Sequence, residues 1–232
     1  MKRILLKLSG EALSNGTGEI YDVGFVDEVA QALKKSKEDG YEIAVVVGAG
    51  NIWRGRQGGD MDRVLADRMG MLATVINSIC LKDALERAGV SAVVMSSVPM
   101  SPLAESYSSD EAKKHLSDGK IVIFGCGLGI PFLSTDTAGA VKAAEISADA
   151  MFMAKNVDYI YTDDPRINPN AKKLEKVKAS EVLAMNLKAI DSTATAFCMS
   201  NGMPIHVFGL KNPSDITRAL KGEIVGTIVT AE

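Results

Sequence analysis

The chain has 232 residues, 47% of them hydrophobic and 24% charged, with a formal net charge of −3. That balance is ordinary for a globular protein, and the slight acidic excess argues against a general nucleic-acid surface, which would show as a basic surplus. A chain of this length buries roughly 70–75% of its unfolded surface, enough for one substantial core.

The cysteines Cys80, Cys126 and Cys198 are widely spaced, and with only His115 and His206 beside them no zinc pattern arises. An odd cysteine count in apolar settings fits a reducing cytoplasm. Met1-Lys2-Arg3 before an apolar run imitates a signal peptide, but Lys7, Ser9 and Glu11 interrupt it too early. No apolar run is expected to approach the ~20 residues that cross a bilayer. The expectation is a cytoplasmic protein that binds neither membrane nor nucleic acid.

In chain order, Ile4, Leu5, Leu6 and Leu8 form a buried strand that empties into Ser9-Gly10, with Lys7 inside the run. Lys7 is either an edge-strand lysine whose stem covers apolar surface or a cation held at the carboxyl end of a strand, where open parallel sheets place ligands. Residues 14–19 read as a hairpin-like polar turn, Asp22 as the cap of a helix to Lys37, and Tyr41 to Val47 as a strand buried on both faces. Met61 to Ala88 carries apolar residues at helical spacing, as one helix or two, and Met69, Met71, Leu72, Val75, Ile76 and Ile79 read as core or subunit face, packing being weighted over any special role for the methionines. Further strands are expected at 92–95, 120–124, 150–154, 159–161, 205–208 and 226–229. Helices are expected at 110–116, from Thr135 or Asp136 to 147, from Ser180, from Ser192 to Ser200, and from Pro213 to Leu220. Such alternation predicts a three-layer α/β/α sandwich on a mostly parallel sheet of about eight strands, in a single domain over 1–232.

Two strands end in glycine clusters: Gly48, Gly50 and Gly55 after one, and Gly125, Gly127 and Gly129 after the other. Glycine lets backbone approach a ligand closely, and a helix that follows such a loop points N–H groups and the positive end of its dipole at an anion. Together with the Lys-Leu-Ser-Gly turn, the clusters point to a phosphate site. Neither is a Walker loop, and neither fits a dinucleotide fingerprint. Arg54 is either a bidentate phosphate grip or a solvated loop residue. Thr135-Asp136-Thr137 and Asp191-Ser-Thr each read as a helix cap or as groups that orient a lysine or a magnesium-bound phosphate. Asp158, Asp163 and Asp164 near Tyr161 line a nucleotide pocket or solvate a loop.

These residues together resemble the amino acid kinase superfamily, and within it the bacterial uridylate (UMP) kinases. The resemblance runs through 7–13, 48–55, 67–74, 131–137, 144–146, 154–156, 164–166 and 191–193. It implies transfer of the γ-phosphoryl of Mg-ATP to UMP, giving UDP for pyrimidine nucleotide biosynthesis. By position, Lys7, Arg54, Asp136 and Asp191 resemble the catalytic set. Lys7, Leu8, Ser9, Gly10, Gly50, Arg54, Lys155, Asn156, Tyr161 and Asp164 resemble ATP contacts. Ala49, Asp67, Leu128, Gly129, Ile130, Pro131, Phe132, Leu133, Ser134 and Thr135 resemble UMP contacts. The resemblance also implies Mg2+ that travels with ATP rather than in a dedicated protein site, a homohexamer, GTP as activator near Lys82 and Asp83, and UTP as inhibitor.

Three positions depart from the family pattern. Ala49 stands where a glycine is usual and is expected to be strained if its φ is positive. Leu128 and Ile130 stand where the acceptor loop usually carries polar side chains, which opens the alternative of a different small acceptor. A catalytically silent nucleotide-binding regulator is the other alternative, and the presence of Lys7, Asp136 and Asp191 argues against it.

Overall fold

In a computed structural model that describes residues 2–54 and 58–232, the chain builds a nine-stranded sheet with helices on both faces. Gly55, the last glycine of the first cluster, lies outside the described residues. The sheet strands are β1 (Arg3–Leu8), β2 (Glu42–Val47), β3 (Ala92–Ser96), β4 (Glu105–Ser106), β5 (Ile121–Gly125), β6 (Ala150–Lys155), β9 (Lys176–Lys178), β10 (Ile205–Gly209) and β11 (Thr227–Thr230). Their spatial order is β4-β3-β5-β2-β1-β6-β10-β11-β9, and only the β10–β11 pairing is antiparallel. The sheet thus has one strand more than the sequence predicts, because β4 and β9 are too short to show a pattern. The stretch 159–161 is not part of it: β7 (Ile160–Tyr161) pairs with β8 (Lys173–Leu174) in a separate small ribbon.

β1 lies at the centre, parallel to β2 on one side and β6 on the other. That position removes the edge-strand explanation for Lys7. Side chains alternate along a strand, so Ile4, Leu6 and Leu8 enter one core with α1 (Val23–Glu38), α2 (Arg63–Arg87) and α7 (Ser214–Leu220). Leu5 enters the opposite core with α3 (Ser109–Ser117), α4 (Thr135–Glu145), α5 (Ala179–Ala184) and α6 (Ser192–Ser200). Lys7 shares the Leu5 side, and that parity aims it at α4. Gly139 makes the approach possible, since a Cβ there would lie 2.6 Å from the Met151 side chain and 3.8 Å from Lys7 Cβ.

Local chemistry sets the boundaries. The Asp22 carboxylate accepts from Phe25 N–H and starts α1, and Asp62 does the same for α2 through Leu65 N–H. After β1 the chain does not form a hairpin but a 3-10 turn, Gly10–Ser14, that leads to α1. The start of α4 differs from the sequence expectation. Its cap is Ser134, whose hydroxyl accepts from Thr137 N–H, so neither Thr135 nor Asp136 is spent on capping.

α2 corrects one expectation, that of no apolar run long enough to cross a bilayer, and decides two that the sequence leaves open. It is one continuous helix, long and apolar enough by length and composition to cross a membrane. Its Val75 is buried, but Leu65, Met69, Leu72, Ile76 and Ile79 are 40–52% exposed, so most of the stripe that reads as core or subunit face points outward. The opposite face carries Thr74, Asn77 and Ser78, buried against the domain.

Candidate functional site

Because β5, β2, β1 and β6 are parallel neighbours, their carboxyl ends lie side by side. The turn at Ser9-Gly10, the loop at Gly48–Asn51, the loop from Cys126 and the Lys155-Asn156 step therefore meet at one sheet edge, the place where open α/β sheets bind ligands. Ser9 N–H donates to Ala154 O at 3.0 Å and Gly48 N–H to Leu8 O at 2.8 Å, extending the ladder into the turns. Gly10 is required here: a Cβ would fall 2.5 Å from Gly48 O and 2.7 Å from Gly50 N, so no larger residue lets the two loops interlock. A cleft of about 890 Å³ opens over this edge.

The charge centre lies on its floor. Asp136 accepts from Lys7 Nζ through Oδ1 at 2.7 Å and from Lys155 Nζ through Oδ2 at 2.6 Å. The Lys7 and Asp136 side chains are only 8% and 10% exposed, which makes this a screened ion triad rather than a surface pair. Burial alone would raise the Asp136 carboxyl, but the Lys7 and Lys155 cations outweigh it and hold it down at about 2. Burial lowers the Lys155 ammonium, helped by the Lys7 charge and opposed by Asp136. Lys155 also donates to Ala189 O.

Two helix N-termini face the same space. Asp191 caps α6 by accepting from Thr193 and Ala194 N–H. Its other oxygen accepts from the Thr137 hydroxyl at 2.7 Å and from the Ser134 hydroxyl, which ties the first turn of α6 to that of α4. Burial raises the Asp191 carboxyl, and those two hydroxyls together with the Ala194 N–H more than offset it. The cleft between them is thus edged by partial positive charge suited to an anion.

On the other side of the cleft, the loop after β5 is held by α2. Cys126 N–H donates to Thr74 Oγ1 at 2.8 Å, Phe132 N–H to Asp67 Oδ2 at 2.9 Å, and Ser97 Oγ to Gly127 O at 2.7 Å. Asp67 is in turn gripped by Arg63 at 2.9 Å. Trp53 Nε1 donates to Ala66 O, which fixes its indole along the cleft wall. Among described non-glycine residues, φ is positive at Asn15, Cys126, Phe132, Ser147 and Asn186 but not at Ala49, so the strain expected there does not arise.

Of the residues singled out in the sequence, Lys7, Ser9, Gly10, Ala49, Gly50, Arg54, Asp67, Leu128, Ile130, Pro131, Phe132, Leu133, Ser134, Thr135, Asp136 and Asp191 all line the cleft. Leu8 is wholly buried beneath it, and Gly129 turns the loop after β5 with φ +81° without lining the cleft. Lys155 and Asn156 stand one shell back, Lys155 on Asp136 and Asn156 on Glu11, with Glu11 also paired to Arg54. Tyr161 and Asp164 do not join this group: Tyr161 bonds Asp158 at 3.0 Å, and Asp164 pairs with Arg166 on an exposed loop. Sequence reasoning missed Thr74 and Asn77. The last carried a readable signal, an amide between apolar residues of a helix.

Among described residues, no three His, Cys, Asp or Glu side chains are grouped to hold a metal ion. Both oxygens of Asp136 and both of Asp191 already accept hydrogen bonds, so the residues present fit a cation that arrives coordinated by phosphate rather than one caged by protein.

Comparison with known proteins agrees with this geometry. The sequence model of the amino acid kinase family matches residues 2–209. A UMP kinase from Bacillus anthracis superposes with a TM-score of 0.95 at 36% identity, covering 100% of this chain and 96% of that one. A UMP kinase from Ureaplasma parvum gives 0.93 at 37% identity, over 99% and 98%. A uridylate kinase from Archaeoglobus fulgidus gives 0.78 at 25% identity, over 99% and 100%. With the family pattern matching nearly the whole strand–helix framework, the chain belongs to the amino acid kinase family.

Proposed function

We propose that this chain is a UMP kinase that transfers the γ-phosphoryl group of Mg-ATP to UMP and releases ADP and UDP. The observation that carries the proposal is the Lys7–Asp136–Lys155 triad where the phosphate-type loops converge, in a chain alike over nearly full length to two UMP kinases. Phosphoryl transfer asks the protein for positioning and charge neutralisation rather than covalent chemistry. An oxygen of the acceptor phosphate bonds to the γ-phosphorus as the bond from phosphorus to the ADP oxygen breaks. That oxygen is already anionic, so no general base is required.

In this reading Lys7 balances charge on the transferring group, and Asp136 aligns it while its other oxygen holds Lys155 on the donor side. Gly10, Gly50 and the N-terminus of α4 receive phosphate oxygens, and Arg54 leaves Glu11 to grip a phosphate. Asp67 serves the acceptor ribose, with Thr135 near the acceptor phosphate and Asp191 supporting the α4 turn. Leu8, Ser9, Asn156, Tyr161 and Asp164 belong to the donor side. Magnesium, held by the nucleotide phosphates, would neutralise their charge. Residues 1–232 act as one domain, acceptor-binding in its N-terminal part and donor-binding in its C-terminal part. The exposed apolar face of α2 supports a homo-oligomer, of which the family's hexamer is the expected form, with GTP activation and UTP inhibition. The free cysteines fit a cytoplasmic setting.

A second reading keeps the chemistry and changes the acceptor. It is favoured by Leu128 and Ile130, which present apolar side chains to the cleft. An ADP-release assay with Mg-ATP and UMP, CMP, dCMP and a panel of carboxylates separates the two. Turnover greatest with UMP is expected. Preference for another acceptor moves the protein within the family, and silence with every acceptor while ATP still binds overturns the enzyme reading.

A further inference from the structure

Asn77 is fully buried on α2, between the outward face of that helix and the loop that follows β2. An amide sequestered from water is costly unless its hydrogen-bonding positions are filled. All four are. The Nδ2 group donates to Gly48 O at 2.7 Å and to Asn51 Oδ1 at 2.8 Å. The Oδ1 atom accepts from Tyr21 hydroxyl at 2.7 Å and from Asn51 Nδ2 at 3.2 Å. An amide offers two donors and accepts through two lone pairs, so nothing is left over.

The bond to Gly48 O has a consequence across the peptide. In a trans peptide, the carbonyl of one residue and the N–H of the next point in opposite directions. Pinning the Gly48 carbonyl to α2 therefore aims the Ala49 N–H the other way, and Ala49 lines the cleft. Among the described residues, neither the Ala49 nor the Gly50 N–H has a hydrogen-bond partner. Gly48 is the residue at which this peptide would turn over most easily, since it has no side chain to oppose a change of backbone angle. A turned-over peptide would put a carbonyl oxygen where phosphate oxygens belong.

We propose that Asn77 is a positioning residue for phosphoryl transfer: it locks the Gly48–Ala49 peptide so that the Ala49 N–H faces the anionic groups in the cleft. The proposal rests on the phosphoryl-transfer reading above. It names a group that touches no substrate and acts through the backbone it holds.

The substitution Asn77→Asp keeps the shape and the acceptor positions but removes the donor to Gly48 O and sets an oxygen against that carbonyl. Loss of one aligned backbone donor at a transition-state oxygen costs about 100-fold or more in kcat. The expected result for folded Asn77→Asp is a kcat loss of about that size with KM for both substrates changed less than about three-fold. Tyr21→Phe, which removes a different bond to the same amide, is expected to stay within about three-fold of the parent kcat. A folded Asn77→Asp enzyme with parental kcat overturns the proposal, as does an equal loss in Tyr21→Phe, which would mark Asn77 as general packing.

If Asn77→Asp does not fold, the wild-type chain answers through its 15N-labelled alanine amides during titration with a non-hydrolysable ATP analogue and then with UMP. A large shift of the Ala49 amide proton is expected, and an unmoved resonance at saturation contradicts the assignment. This titration needs no turnover, so it still reports on the peptide if the acceptor assignment fails.

Discussion

Asp136 balances two ammonium groups with one carboxylate, and the consequences of changing it are unequal. In Asp136→Asn the two lysines, 2.7 and 2.6 Å from its oxygens, would face a neutral amide and each other. Removing one partner of a buried ion group costs about 3–5 kcal/mol. The variant is expected to unfold at a lower denaturant concentration by that margin and to lose at least about 100-fold in kcat, readable by urea titration alongside turnover. Lys142 behaves differently. Its ammonium is buried over the Tyr107 ring, 2.9 Å from the centroid, with Glu145 at 3.4 Å, and burial lowers it to about 8. Below that pH the folded and unfolded chains both carry the proton, and the folded state bears the full cost of burying it. Between about 8 and the ordinary 10.5 the folded state gives up its proton first, so stability gains from this group as pH rises. Lys142→Met is therefore expected to be more stable than the parent at pH 7.5 by about 1–3 kcal/mol, with the gap closing by pH 10; paired melting curves across that range check it. A gap unchanged with pH would contradict the assignment. At this scale the sequence made Lys7 conspicuous, because a lysine in an apolar strand demands a partner, whereas Asp136 at a helix start read equally well as a cap. It did not reveal that Lys155 shares Asp136, since that meeting depends on β1 and β6 being neighbours.

Among the elements, α2 has the most to do. Its inner face holds the loop after β5 through Asp67 and Thr74 and the loop after β2 through Asn77, while its outer face leaves Leu65, Met69, Leu72, Ile76 and Ile79 to solvent. Five apolar side chains on one exposed helix face form a patch of the kind that self-association covers. The double substitution Leu72→Glu/Ile76→Glu is expected to lower the sedimenting mass without lowering the melting temperature of the chain measured at low concentration; an unchanged mass would show that this face is not the contact. The periodic pattern of α2 was legible as a helix, but the pattern alone left its apolar stripe open between core and subunit face. A helix apolar on more than one side reads the same whether the second side meets a sheet or another subunit. The strands that end in glycine were legible for a firmer reason, since each glycine cluster marks a place where the backbone must turn tightly. β4, β8 and β9, at two or three residues, are held by their neighbours and leave no such mark.

For the whole molecule, the decisive fact is that parallel strands put their carboxyl ends on one edge. The regular alternation of strands and helices made that architecture readable from the sequence, and with it the meeting of the Ser9-Gly10 turn, the Gly48 loop and the Cys126 loop. What alternation does not give is strand order, and strand order is what seats Lys7 between β2 and β6 and below the first turn of α4. The cleft of about 890 Å³ over this edge brings Lys7 and its partner Asp136, two helix N-termini and loop N–H groups that have no partner among the described residues around one space. The measurement that tests this account most directly is the kcat for UDP formation from Mg-ATP and UMP in Lys7→Ala, with ATP affinity determined on the same sample. A loss of at least about 1,000-fold in kcat with ATP affinity within about ten-fold of the parent is predicted, since Lys7 is assigned to charge that develops during transfer. A Lys7→Ala enzyme that binds ATP and turns over within a few-fold of the parent would contradict it.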